Sequence, residues 1–244
     1  MGGRLTVDGE EPTERLAVRL WLPDEPGMLA AVASRIAGLR GNVVGLEVLE
    51  RSGTVAVDEL MVELPVDTAD GADGVDELCR ALQGIDGAGI EQVRSVPAGT
   101  EERGVQVVAA AVAILETANP SASLSALVGL AGDLFEVEWS AVVDVATGTV
   151  LQCTGEPPKV DWLLAFVSGA RNATPSGGSS GSGVMAGEMV DAGLALCIGR
   201  PVPFRRREHR EFEMLVTVTD RMCRSVRGDR IPPGWGSPRR FPGG

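Results

Sequence analysis

The segment Asp24 to Leu29, DEPGML, sets an acid, a proline and a glycine where an apolar helical pattern begins. Each residue type has a chemical use there. The Asp24 carboxylate can accept backbone N–H groups of a first helical turn. Pro26 stands where a missing N–H is harmless. Gly27 has no side chain, so a ligand can approach the backbone closely. The N–H groups of Gly27 and Met28, together with the helix dipole, favour an anion such as a carboxylate. Asp24 could instead receive an ammonium group, and Asn42, at the head of the following strand, can both donate and accept. The candidate binding residues are therefore Asp24, Gly27, Met28 and Asn42. A plainer use stays open: Asp24 only caps, Gly27 only turns, and Asn42 only opens a strand.

The rest of the chain offers little for catalysis. His209 is the single histidine, and Cys79, Cys153, Cys197 and Cys223 lie far apart with no C-x-x-C pair. A zinc site or a Ser-His-Asp triad has almost no material. Cys153 and Cys197 read as strand residues of a core. The run GGSSGSG lacks the Lys-Ser/Thr ending of a phosphate loop. DGADGVDE lacks the distal Glu of a calcium loop and reads as an acidic helix start. The expectation is a protein without catalytic residues, metal or cofactor, not an enzyme.

The elements that would position the loop follow from periodicity. LAVRLWL places Leu16, Val18, Leu20 and Leu22 on one face of a half-buried strand. Met28, Leu29, Val32, Ile36 and Leu39 make the apolar stripe of a helix that Gly41 is expected to stop by taking the left-handed conformation. NVVGLEVLE and TVAVDELMVEL form a hairpin around Ser52-Gly53, and the alternation stumbles at Asp58-Glu59, which suggests a bulge there. DGVDELCRALQGI is a second helix and AGIEQVRSV a last strand. The order is βαββαβ on one antiparallel sheet, with both helices on one face.

With that order in place, residues 15–97 resemble an ACT domain: a strand, then DEPGML, then a helix, then GNVV opening the next strand. Asp24, Pro26, Gly27 and Leu29 match the family's loop, and Gly41 and Asn42 match its strand opening. The resemblance implies a small regulatory module of amino-acid metabolism. Its ligand sites often join the loop of one domain to the second strand of another.

Beyond a linker at 98–103 the pattern changes. VQVVAAAVAILETA and SASLSALVGLAGDLF are helices, the second capped by Ser121 or Ser123. Two strands turn at Ala146-Thr147-Gly148, KVDWLLAFVSGA is a helix, and a second strand pair turns near Asp191-Ala192-Gly193. Residues 206–227 form an amphipathic helix whose arginine run, Arg205, Arg206, Arg207 and Arg210, reads as a solvated start beside Glu208, Glu211 and Glu213. The closing stretch AGLALCIGRPVPFRRREHREFEMLVTVTDRM is similar to the end of a GAF domain, so 104–228 is read as GAF-like with a central antiparallel sheet. The domains are then 1–14 flexible, 15–97 ACT-like, 98–103 linker, 104–228 GAF-like and 229–244 a loose Pro/Gly-rich tail. The fold class is α+β: a ferredoxin-like βαββαβ domain followed by an α/β GAF-like one. No cyclic nucleotide, haem or bilin is expected in the second half.

Charge limits the partners. The net charge is −12, and residues 1–100 hold 8 Arg against 18 acids, so about −10 lies there. Such a chain repels nucleic acid and anionic membrane. Lys159 is the only lysine, and the Arg, Ala, Gly and Val bias suggests a high-GC bacterial genome. Scattered thiols and the absence of an apolar leader fit a reducing cytoplasm. The expected function is a non-catalytic sensor of a free amino acid, acting as a homodimer because Trp21 and Leu49 point away from the helix-covered face. The alternative is a scaffold that uses both folds for assembly without a small ligand.

Overall fold

The computed structural model describes residues 12–66, 71–172 and 182–227. The Ser/Gly run and the Pro/Gly-rich tail fall outside these, apart from Ser182 and Gly183. The chain divides into two compact units between Thr100 and Glu101. Among the described residues the class is α+β, with two four-stranded antiparallel sheets and six helices.

The first unit runs β1 (Thr13–Pro23), α1 (Met28–Gly38), β2 (Asn42–Ser52), β3 (Val55–Pro65), α2 (Gly71–Gln83) and β4 (Gly89–Ser95). Its strand order is β2-β3-β1-β4, so β2 and β4 are the edges. The expected βαββαβ path is present. The alternation of β1 explains it: Leu16, Val18, Leu20 and Leu22 face one side, where they join Leu60, Val62 and Leu64 of β3, Val32 and Ile36 of α1, and Leu78 and Leu82 of α2. Burial of a Leu or Val side chain supplies about 1.5–3 kcal/mol, so this cluster is the main source of the unit's stability.

Three local expectations change. Gly41 is not the left-handed residue after α1; Arg40 takes that conformation, with φ 58. Gly41 is required by space instead, because a Cβ there would stand 2.5 Å from Leu64 Cδ2. The bulge is not at Asp58-Glu59, since β1 and β3 pair without interruption from Thr13↔Pro65 to Pro23↔Val55. The register shifts lie in the partner strands: in β2 at Val43/Gly45 and at Val48/Glu50, the latter opposite Val57 and Asp58, and between β1 and β4 at Arg19/Leu20. The stumble in β3 has another cause: both acids are buried, on opposite faces of the sheet. Glu59 pairs with Arg19 at 2.9 Å on the face away from the helices, where Arg15 pairs with Glu63 at 2.7 Å. Of the two apolar residues thought to need covering, Trp21 is 45% exposed, but Leu49 is only 2% exposed.

The second unit runs α3 (Arg103–Leu115), α4 (Pro120–Phe135), β5 (Trp139–Asp144), β6 (Thr149–Thr154), α5 (Val160–Asn172), β7 (Val184–Met189), β8 (Leu194–Gly199) and α6 (Arg206–Arg227). Its order is β6-β5-β8-β7. Helices α3, α4 and α6 cover one face, packing Val107, Ile114, Leu127, Phe135, Phe212 and Leu215 onto Val142, Leu196 and Ile198. Helix α5 covers the other, with Leu163 and Val167 on Ala141, Val143, Ala195 and Cys197. Covered on both sides, β8 is buried along its whole length and reads as the continuous apolar run LALCIG.

Two expectations about helix starts fail here. Asn119, not Ser121 or Ser123, caps α4: its side chain accepts the Ala122 N–H at 3.0 Å, and Pro120 follows in the first turn. The start of α6 is not wholly solvated. Arg206 and Arg210 are exposed, but Glu208 is fully buried. Glu208 accepts the Arg205 N–H at 2.8 Å and the Arg200 guanidinium at 2.8 and 2.9 Å. Arg103 reaches Glu208 at 3.4 Å and Glu211 at 2.6 Å, and Arg207 meets Glu211 at 3.0 Å. Arg200 also donates to the carbonyls of Phe135, Val202 and Pro203. One network thus ties α3, the end of α4, the end of β8 and the start of α6.

Candidate functional site

The loop between β1 and α1 is held from outside the helix. The Asp24 N–H donates to the Thr54 carbonyl at 2.8 Å, which ties the loop to the β2–β3 turn, and Glu25 N–H donates to the Pro23 carbonyl at 2.9 Å. Gly27 is the residue before the helix and adopts φ 97, a left-handed conformation that glycine takes without strain. No side chain caps α1, and no acid stands in its first turn. Asp24 therefore does not cap; Pro26 and Gly27 push the helix start three residues past its reach. The helix keeps the unsatisfied N–H groups and positive dipole end of an open N-terminus. Among the described residues, Met28 N–H has a weak acceptor in Glu25 O at 3.4 Å, and the regular helical bonds begin with Ala31 N–H to Gly27 O at 2.9 Å.

One residue that sequence reasoning passed over belongs to this place. Asp58 stands opposite Leu20 of β1 and Val48 of β2, on the helix-covered face. It is 3% exposed, and its Oδ1 has no hydrogen-bond partner among the described residues. Burial pushes its carboxyl above the ordinary range, the Arg51 guanidinium draws it down, and the Asp24 carboxylate beside it pushes it up again. Asp24 itself is exposed. The solvated Asp24 carboxylate is thus felt by the buried Asp58, whose Oδ1 has no partner among the described residues, although Asp58 sits opposite Leu20, a few residues down the strand from the loop. A cation placed between them would relieve both the repulsion and the desolvation. The signal was in the sequence: VDEL puts an acid at an inward position of a strand whose other inward residues are apolar.

Asn42 lies elsewhere. It is the exposed first residue of β2 and pairs with Glu63, while Pro23, next to Asp24, pairs with Val55. Eight residues of β3 separate these two levels, about 26 Å of strand. One copy of the chain thus brings Asp24, Gly27 and Met28 together and leaves Asn42 at the other end of the sheet. Near Asn42 the edge strand carries exposed apolar side chains, Val44 at 41% and Leu46 at 45%.

Two of the cysteine thiols are pushed upward. Cys197 is buried and its thiol is pushed up to about 12, and burial together with Asp76 raises Cys79. Among the described residues no group of three His, Cys, Asp or Glu could hold a metal ion. No described helix is long and apolar enough to cross a membrane.

No family model matches the chain, and no curated protein does. Solved structures give a weak likeness. A formyltetrahydrofolate deformylase from Pseudomonas putida KT2440 is 14% identical at a TM-score of 0.27, covering 34% of this chain, which spans only 29% of the deformylase. An unknown protein from Galdieria sulphuraria is 14% identical at a TM-score of 0.30, covering 86% of this chain and 93% of that one. A protein provisionally described as a glycine cleavage system transcriptional repressor is 10% identical at a TM-score of 0.30, covering 85% and 93%. At these values the likeness carries nothing about ligand or activity.

Proposed function

We propose that the chain is a non-catalytic regulatory protein whose first unit, ACT-like in the order of its elements and in its DEPGML loop, binds a free amino acid. The observation that carries this reading is the open N-terminus of α1 beside the unpartnered pair Asp24 and Asp58. The N–H groups of Gly27 and Met28 would hold the ligand carboxylate. Asp24 and Asp58 would take the ammonium group. A free amino acid is the small ligand that presents both charges a few ångströms apart.

Asn42 enters from a second copy. The β2 edge is open, and sheet edges favour pairing. Antiparallel pairing of two β2 strands about a twofold axis near Glu47 would set Asn42 of one copy near Ser52 of the other. Thr54, two residues on, is where the Asp24 loop is anchored. The same pairing would cover Val44 and Leu46. The second unit, GAF-like in this reading, transmits or assembles rather than binding a nucleotide or pigment, and the whole acts in the bacterial cytoplasm.

A thermal-shift panel of the common amino acids tests the reading. A ligand at about 100 times its Kd adds about 2.7 kcal/mol to the folded state, worth roughly 5–10 °C here. Asn42→Ala is expected to erase that shift and leave the unliganded melting point in place. If no amino acid moves the melting point at millimolar concentration, the chain is a scaffold and not a sensor.

A further inference from the structure

Helix α3 is apolar all round. From Gly104 to Leu115 it has no charged residue, and Gln106 is its one polar side chain. One face, Val107, Ala110 and Ile114, is buried against α4 and α6. The opposite face is bare: Val105 is 49% exposed, Val108 60%, Val112 44% and Leu115 52%. A helix apolar on every side normally belongs in an interior, and a contiguous exposed apolar stripe marks an interaction surface.

The spacing of the stripe says what kind of partner it fits. Val105, Val108, Val112 and Leu115 recur at intervals of three, four and three, the a and d positions of two heptads. Val at both a positions and Leu at the last d position is the composition that favours two strands. The flanking positions are Gly104, Ala109 and Ala111, which let a second helix approach closely, and the one charge beside the seam is Glu116, at the C-terminal end of the helix. The three-four-three interval is also symmetric about Ala110, so an identical helix can lie on it under a twofold axis. Charge selects the same partner. About −10 of the net −12 lies in residues 1–100, so the unit that carries α3 is nearly neutral and a second copy meets little repulsion at this face.

We propose that the exposed face of α3 is an interface between two copies of this chain, helix against helix along Val105, Val108, Val112 and Leu115. It is distinct from the β2 edge and does not depend on amino-acid binding. Thirteen residues of helix span about 20 Å, which puts the contact at the small end of stable interfaces and its dissociation in the micromolar range.

The test separates the two interfaces in the full-length chain. Leu46→Arg removes pairing through β2. That protein is expected to scatter light as two chains at about 100 µM, and adding Val108→Glu is expected to reduce it to one chain with unchanged circular dichroism. Mixing with the Val108→Lys protein, for parallel helices, or the Val112→Lys protein, for antiparallel ones, restores the two-chain species, which only folded partners can do. Val105→Glu serves as the second variant if Val108→Glu disturbs folding. A single-chain mass for the Leu46→Arg protein at that concentration overturns the proposal. So does a two-chain mass that neither Val108→Glu nor Val105→Glu alters.

Discussion

Asp58 in the first unit and Glu208 in the second are both carboxylates taken almost wholly out of water, and they are treated in opposite ways. Glu208 receives a backbone N–H at the start of α6 and two guanidinium groups, Arg200 and Arg103. Asp58 has an Oδ1 with no partner among the described residues, an arginine only near enough to be felt, and a second acid beside it. A fully bonded buried charge fixes positions. A buried charge left without bonds costs stability in the folded chain and is tolerated where something else completes it. The difference separates a structural acid from a candidate binding acid without reference to any relative.

The comparison breaks most visibly at Glu208. Glu208→Ala leaves Arg200 and Arg103 short of their main buried partner, and loss of about 3–5 kcal/mol is expected. Chemical denaturation followed through the two units should show the second unfolding earlier and the first unchanged; equal weakening of both would undo the structural reading. Asp58→Asn should act in the reverse direction. Removing an unpaired buried charge is expected to raise stability by about 1 kcal/mol while weakening amino-acid binding tenfold or more, both measurable in one calorimetric titration series. If Asp58→Asn binds as tightly as the parent protein, Asp58 is only a strained core residue.

Acid sharpens the contrast. The folded Asp58 binds its proton more readily than the unfolded one, whose value is 3.8. Its penalty is therefore present at neutral pH and fades as pH falls through the raised folded value toward 3.8. The stability gained by Asp58→Asn should shrink across that window. A gain that stays constant from pH 7 down to 4 would assign the effect to packing rather than charge.

The smallest effects separate the two helix starts. Asn119 caps α4 with its side chain, so Asn119→Ala is expected to cost about 1 kcal/mol. Asp24 caps nothing, so Asp24→Ala should move the unliganded melting point by less than the equivalent of about 0.5 kcal/mol while reducing amino-acid affinity. A large loss of stability from Asp24→Ala would restore the capping role.

How far each feature could be read in the sequence depended on how far apart in the chain its causes lie. The βαββαβ order was legible because period-two and period-3.6 patterns are local, as in Leu16, Val18, Leu20 and Leu22. The turn before α1 is legible in DEPG, but the absence of a cap from Asp24 is not, since Pro26 and Gly27 delay the helix and only the backbone angles reveal it. Glu208 looked solvated amid arginines because Arg103, one of the partners that bury it, stands 105 residues away. Asp58 left a trace, the broken alternation of VDEL, but the pattern could not distinguish a bulge from a deliberately buried acid. The separation of Asn42 from Asp24 follows from strand register.

The Glu208 network has a consequence for the order in which the second unit comes apart. Helix ends ordinarily fray one by one, each with its own small opening free energy. Here the first turn of α6, the first residue of α3 and the end of β8 share one carboxylate and its guanidinium partners. None of them can open without stranding charge in the others. Amide hydrogen exchange is expected to show these three places, one of them some 100 residues from the other two, as a single cooperative block, with the earliest opening of the second unit pushed elsewhere, toward its α5 side.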